Sequence, residues 1–388
     1  MTPPEGGALR ASTSRGNPGW LAARYLHLLH EADVALDGRR PWDLRVHDAR
    51  LWRRIALTGT RGLGDAYVDG WWDVERLDLL FARLIEARAD RRAWNLPRRA
   101  LRLAHRVANH QTVTRAREVG TRHYDLDPRL YAAMLDKRMV YTCAYWARAT
   151  TLDQAQEDKL ELVCRKLQLE PGMRVLDVGC GWGSFARYVA ERHGAHVVGV
   201  TISRQQAEHA RLACAGLPVE IRDQDYRLVD ERFDRIVSLG MFEHVGSRNY
   251  ATYMQKLRDC LVSDGLCVLQ TVGLPDDGPG MDPWVTHHIF PNSQVPSAAR
   301  LVQAVQNRLR IEDWHCFGPD YMRTLRAWHG NFRDAWPRLR ELFEPRFFRL
   351  WSYYLLMFAG VFRARGLDLW QLVLAAPGRT AAYRRPLV

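Results

Sequence analysis

From Met173 onward the chain alternates short apolar runs with longer stretches of helical spacing. MRVLDVG is followed by a helical pattern to about His193, and HVVGVTI by one from Arg204 to Ala215. VEIRD and FDRIVSL follow, then a helical stretch from Tyr250 to Leu261 and the run LCVLQTV. Short β-branched runs alternating with helices of this length predict a doubly wound parallel sheet of the α/β class. The segment between Gly273 and Ser297, LPDDGPGMDPWVTHHIFPNSQVP, is too rich in Pro, Gly and Asp for a regular element and long enough to lie over a site as a lid. After it the pattern gives a strand at RIEDWHCF, two long helices rich in Trp and Phe, and a last strand from Leu369 to Ala375.

The N-terminal part reads differently. Residues Trp20 to about Leu84 alternate helical apolar spacing with glycine turns, notably GLGDAYVDGWWD at Gly62 to Asp73. This predicts a smaller, mainly helical domain over 20–117, with the sheet-bearing domain over 118–388. Residues 1–19 carry Pro, Gly and Ser without the apolar core of a secretory signal and read as a mobile tail. Between Arg91 and His123, arginines spread among Leu96, Leu101, Leu103 and Val107 make a basic amphipathic connector, either a membrane-surface element or a solvated linker helix. The most lipid-like stretch, Trp351 to Phe362, falls short of the roughly 20 residues of a membrane span and is expected to be a buried helix.

Composition narrows the setting. Of 388 residues, 47% are hydrophobic and 26% charged, which suits a folded chain. The formal charge is +12, and with lysine only at 137, 159, 166 and 256, nearly all of the 56 basic residues are arginine. A GC-rich codon supply gives the same bias, but the net charge still asks for an anionic partner, a membrane surface or nucleic acid. The 7 cysteines are odd in number and form no CxxC pair, which argues against a disulfide framework or a zinc site and fits a reducing cytoplasm. His244, His287 and His288 lack the i, i+4 spacing and third ligand of a metal centre, so structural or lid roles are expected and no metal is assigned.

The chemistry begins at VLDVGCGWGSF, Val175 to Phe185. A glycine-rich turn after the first strand of such a sheet lets backbone amides approach a ligand at a helix N-terminus. A nicotinamide dinucleotide site would carry an acid at the end of the second strand, and HVVGVTIS has none there. Asp177 instead stands directly before the glycines. That arrangement suits S-adenosylmethionine, whose ammonium group and ribose need acceptors more than a pyrophosphate cradle.

Further motifs accompany the turn: GLGDAYVDGWWD, HYDL (123–126), MVYTCAYW (139–146), VVGVTIS (197–203), MFEHVG (241–246), DPWVTHHIFPN (282–292), EDWHCFGPDY (312–321) and FRARGLDLWQ (362–371). With these the chain, from about Leu51 to Leu374, resembles the cyclopropane-fatty-acyl-phospholipid synthases. The resemblance implies a class I methyltransferase fold and methylene transfer from S-adenosylmethionine to a cis double bond in an unsaturated phospholipid acyl chain. It also implies a bound bicarbonate ion that takes the proton lost as the ring closes.

By the same resemblance, bicarbonate is met by Cys143, Glu243, Gln270, Val272 and Tyr321. Glu243 accepts from the bicarbonate hydroxyl, while Tyr321 and the backbone of Cys143 and Val272 supply donors or contacts. Position 270 departs from the family's usual histidine: Gln donates and accepts through its amide but does not titrate. The cofactor residues implied are Tyr141, Thr142, Gly179, Cys180, Gly181, Thr201, Ile202, Ser203 and Gln206, with Asp177 as acceptor and Asp225 and Tyr226 at the adenine. Thr142 replaces a common serine and keeps its hydroxyl, and Asp127-Pro128 replaces the usual Gly-Asn.

Several alternatives stand beside this reading. A fatty-acyl methyltransferase would leave a methyl or methylene branch, and a catalytically weakened lipid-binding protein would leave none. Nucleic-acid methylation calls for an NPPY-like or Cys-nucleophile loop where MFEHVG stands, so no nucleic-acid partner is expected. The expected setting is the cytoplasm, peripherally associated with the inner membrane, with a homodimer left open.

Overall fold

The computed structural model describes residues 20–89, 126–276 and 280–386. The tail over 1–19, the connector from Arg91 to His123 and the boundary at 117/118 lie outside the described residues.

The repeated strand–helix pattern folds into one seven-stranded sheet. Its strands are β3 (Arg174–Val178), β4 (His196–Thr201), β5 (Val219–Asp223), β6 (Phe233–Leu239), β7 (Leu261–Gly273), β8 (Arg310–Cys316) and β9 (Asp368–Ala375). A separate antiparallel pair, β1 (Arg45–Val46) and β2 (Trp72–Asp73), belongs to the N-terminal part. The large sheet runs β5-β4-β3-β6-β7-β9-β8. Chain order reverses at β3, between β4 and β6, and ligands of such sheets sit in the crevice beyond the strand ends at that point.

The expected parallel sheet holds from β3 to β7. The last strand, β9, is antiparallel to both β7 and β8, so the sheet is mixed. Hydrophobic pattern could not reveal the direction, because all eight residues of β9 are buried and read like a central parallel strand. Two helix ends also fall short of their expected positions. The helix from Arg204 stops at Ala213 and the one from Tyr250 at Cys260.

The Pro- and Gly-rich segment after Gly273, expected to hold no regular element, contains the helix Pro283–His288. Asp282 caps it by accepting from the Trp284 backbone N–H at 2.8 Å, and Pro283 occupies the first turn, where its missing N–H costs nothing. Trp284 is fully buried against the helix Thr60–Val68. Two expected turn glycines, Gly62 and Gly64, lie inside that helix rather than in turns. At Gly64 a Cβ would stand 2.4 Å from the Trp284 indole, so the missing side chain is what lets the two elements close. His288 Nε2 pairs with Asp65 Oδ1 at 2.7 Å and ties the same two helices.

The C-terminal helices Gly318–Leu339 and Pro345–Arg363 pack on each other, and the second of them packs on the N-terminal helix Leu77–Glu86. Trp72, Leu80, Trp284, Trp328, Phe332 and Trp351 form part of one core cluster, so the N-terminal helices and the C-terminal pair bury their apolar faces together. The stretch Trp351 to Phe362 lies in a buried helix, as its length predicted. Among the described residues no helix is long and apolar enough to cross a membrane.

Candidate active site

Strand β3 ends in the glycine turn. Gly179, Gly181 and Gly183 have φ of +80°, +55° and +81°, backbone that side chains with a Cβ rarely adopt. A Cβ on Gly183 would lie 2.9 Å from Ala210 Cβ, so this glycine serves packing. A Cβ on Gly181 would meet no atom within 4 Å, and this glycine borders open space. That space is a cavity of about 190 Å³, and all twelve residues assigned to the cofactor from sequence line it.

Asp177 lies at its base, and burial pushes its carboxyl up to about 7 against the opposing pull of Lys159. Lys159 is itself fully buried and drawn down to about 8 by desolvation, which Asp136 opposes. Its Nζ donates to Thr142 Oγ1 at 3.0 Å, while Gln156 donates to the Thr142 carbonyl at 2.8 Å. The helix Leu152–Leu167 thereby pins the YTC segment between the cavity and the sheet. Sequence reasoning missed Lys159; its only signal was scarcity, one of four lysines in a chain that otherwise uses arginine. Asp225 lines the cavity with both carboxylate oxygens engaged by Arg227.

A second cavity, of about 80 Å³, shares Tyr141, Thr142, Gly240 and His244 with the first. The structure brings all five of the residues assigned to the anion, Cys143, Glu243, Gln270, Val272 and Tyr321, to its wall. Burial raises the Glu243 carboxyl to about 7, opposed by the Val272 backbone N–H, which donates to Glu243 Oε1 at 2.6 Å. One expectation changes here: the Val272 N–H orients Glu243 rather than offering itself to an ion. Glu243 Oε2 is buried with no hydrogen bond of regular geometry among the described residues: the Thr271 hydroxyl beside the carboxyl favours its charge but donates to the Val272 carbonyl at 3.0 Å, so Oε2 is an acceptor that still calls for a donor. Burial pushes the Cys143 thiol well up, so it stays protonated; its Sγ–H donates to the Ala144 carbonyl at 3.2 Å.

The rest of this wall is apolar or aromatic. The Tyr321 and Phe362 rings lie tilted at 36° with centroids 4.6 Å apart, and Tyr141 and Tyr354 meet through their hydroxyls at 3.0 Å. Tyr354 was not legible as a site residue, since its helix reads simply as apolar. Met281, Val295 and Phe358 also line a third cavity, of about 580 Å³, bordered by Trp52, Phe81 and Met357. Burial lowers His244 to about 4, which keeps it neutral beside both smaller cavities. Among the described residues no cluster of His, Cys, Asp or Glu is arranged to hold a metal.

A pocket with buried Asp177 and Lys159 thus adjoins an aromatic chamber that holds one buried carboxyl, Glu243. The family model described as mycolic acid cyclopropane synthetase matches residues 110–372. The chain belongs to this family. It is 45% identical over 349 residues to the cyclopropane-fatty-acyl-phospholipid synthase of Escherichia coli strain K12, covering 90% of this chain and 91% of that one. Among solved structures, the cyclopropane synthase MmaA2 from Mycobacterium tuberculosis superposes with a TM-score of 0.63 at 29% identity, covering 67% of this chain and 98% of that one. The mycolic acid cyclopropane synthase CmaA1 complexed with SAH and CTAB gives 0.63 at 28% identity, with 67% and 98% coverage. The family's fold is the class I methyltransferase fold, and the mixed sheet with its crevice at β3 is this chain's version of it.

Proposed function

We propose that the chain is a cyclopropane-fatty-acyl-phospholipid synthase, joining a one-carbon unit from S-adenosylmethionine across the cis double bond of an unsaturated phospholipid acyl chain. The observation that carries the proposal is the 45% identity to the E. coli synthase over nearly the whole of both chains. The residues present suit the groups such a reaction needs. Asp177, a buried acid that holds its proton up to about 7 until a cation favours its carboxylate, suits the cationic ammonium of the cofactor, and the open space at Gly181 lets the ligand approach the backbone. Glu243 Oε2 and the Gln270 amide suit the hydroxyl and an oxygen of bicarbonate.

When bound, S-adenosylmethionine supplies an electrophilic methyl group and bicarbonate supplies the base. The chain's own task is mostly position and exclusion, because an isolated alkene is a poor nucleophile and water a competing one. Met281, Val295, Phe358 and Phe362 wall the chamber with apolar surface. The adjoining cavity of about 580 Å³ is assigned to acyl chain, since it continues that apolar wall. Positive charge builds on the acyl chain as the methyl is added, and the faces of Tyr141, Tyr321 and Tyr354 stand around the chamber where it develops. Glu243, held by the Val272 N–H, keeps an acceptor aimed at the anion and so makes it more basic.

Work at a bilayer, by peripheral attachment to its anionic surface, belongs to the same proposal and draws on the net charge of +12. Expression in cells without cyclopropane lipids, followed by NMR of the extracted fatty acids, tests the reaction. Ring methylene signals are expected. Methyl-branched or exocyclic methylene products in their place would assign the chain a methyltransferase activity without ring closure, and unchanged lipids would reject catalysis on them.

A further inference from the structure

Three polar side chains cross the sheet in one row. Gln270 on β7 is the register partner of Gln371 on β9, and Gln371 is the register partner of His315 on β8. Lys166, from the end of the helix Leu152–Leu167, lies over this row. Gln270 is 1% exposed, and Gln371 and Lys166 are fully buried. Of these groups only Gln270 reaches the anion chamber; Lys166 and Gln371 line neither it nor the cofactor cavity.

The hydrogen bonds run in one direction. Lys166 Nζ donates to Gln371 Oε1 at 2.9 Å and meets His315 Nδ1 at 3.1 Å. Gln371 Nε2 donates to Gln270 Oε1 at 2.8 Å. Burial and the neighbouring Lys166 lower His315 to about 4, so its Nδ1 is a lone-pair acceptor at neutral pH. Burial draws the Lys166 amine down to about 7; Asp313 Oδ2, 3.9 Å from Nζ, favours its charge, while Arg385, paired with Asp313, opposes it. In its charged form, which Asp313 favours, the Lys166 ammonium donates and does not accept, so the end of the Gln371 amide that faces it at 2.9 Å is the oxygen. The NH2 of Gln371 therefore faces Gln270, the oxygen of Gln270 receives it, and the NH2 of Gln270 is left for the chamber. With Lys166 protonated, the order follows from the lysine and not from how either amide is assigned at its own position.

We propose that Lys166, acting through Gln371, is a positioning residue that fixes Gln270 with its NH2 toward the bound oxyanion. A neutral glutamine is ambiguous, equally able to show an anion its donor or its repelling carbonyl. The buried amine removes the ambiguity from two residues away. This rests on the reading of the chamber as a bicarbonate site.

The test is Gln371→Glu, which keeps size and shape and keeps an acceptor for Lys166 but turns the face toward residue 270 from donor to acceptor. Gln270 must then rotate its NH2 toward the introduced carboxylate and show its oxygen to the chamber. Titration of carbon-13 bicarbonate into the full chain, followed by NMR line broadening, reads anion affinity without turnover. We expect the wild-type chain to bind, and Gln371→Glu to bind about tenfold more weakly, the loss of one favourable hydrogen bond to an ion. Affinity for S-adenosylmethionine, measured by calorimetry on the same sample, should be unchanged and reports that the fold is intact. In a Gln270→Met background the further change at 371 should have no effect on bicarbonate, because the route between them has been cut.

Lys166→Met provides an independent arm in which Gln371 is free to turn either way, and a smaller fall in affinity is expected. Equal bicarbonate affinity in the wild-type chain and in Gln371→Glu overturns the positioning role alone. So does an undiminished effect of Gln371→Glu in the Gln270→Met background. A wild-type chain that binds no bicarbonate overturns the anion reading of the chamber and this inference with it.

Discussion

Asp177 holds its proton up to about 7 because burial disfavours the carboxylate more than Lys159 favours it. A cationic ligand reverses that balance, so cofactor affinity should rise as pH rises through about 7, with proton release on binding. Calorimetry in buffers of different ionisation enthalpy measures both, and Asp177→Asn should bind roughly tenfold more weakly with no such pH dependence. Glu243 is raised to about 7 as well. For both acids the folded value lies above the ordinary one, so their contribution to stability is complete below the ordinary carboxyl range and is lost as pH rises through about 7. Without added cofactor the protein should therefore melt lower on the alkaline side of that value, and saturating cofactor should restore part of the difference. Glu243→Gln should lower kcat on the order of a hundredfold while changing KM for either substrate far less, since its acceptor matters at proton removal. Which residues could be read without the structure follows from how each one signals. Asp177 and the glycines stand together in one turn. Lys159 reaches the site, and Lys166 and Gln371 reach Gln270, across long separations, and none of them carries a local pattern.

At the scale of elements, the short helix Pro283–His288 and the helix Thr60–Val68 meet at a glycine and a buried tryptophan. Gly64→Val would force its side chain into the Trp284 indole, and a destabilisation of about 2 kcal/mol is expected from the overpacking. Chemical denaturation measures it. Gly64 borders no part of the cofactor cavity, so S-adenosylmethionine affinity should survive in the folded fraction. Strand and helix alternation was legible from β3 to β7 because buried parallel strands leave unbroken apolar runs between amphipathic helices. The helix after Asp282 was not, because Pro and Asp signal a turn and a helix start with the same letters. Gly62 and Gly64 misled for a related reason: a glycine placed for close packing looks the same in sequence as one placed for a turn.

For the whole molecule, charge sets the expectation. A net +12 should draw the protein to anionic vesicles, with binding that weakens as salt shortens the reach of surface charge to about 8 Å near physiological ionic strength. Flotation with vesicles of phosphatidylglycerol and phosphatidylcholine at rising salt measures this, and binding indifferent to salt would reject electrostatic attachment. The sheet carries another consequence at this scale. Because β9 lies between β7 and β8, the last strand among the described residues is the one that joins them. During synthesis the strands β3 to β7 and the cofactor turn emerge first and can assemble first. Until Asp368 to Ala375 leave the ribosome, β8 has no neighbour to pair with and Gln270 has no Gln371 beside it. Every residue that lines the cofactor cavity stands at or before Asn249, so the nascent chain has that cavity's whole lining in hand well before Gln371 arrives beside Gln270.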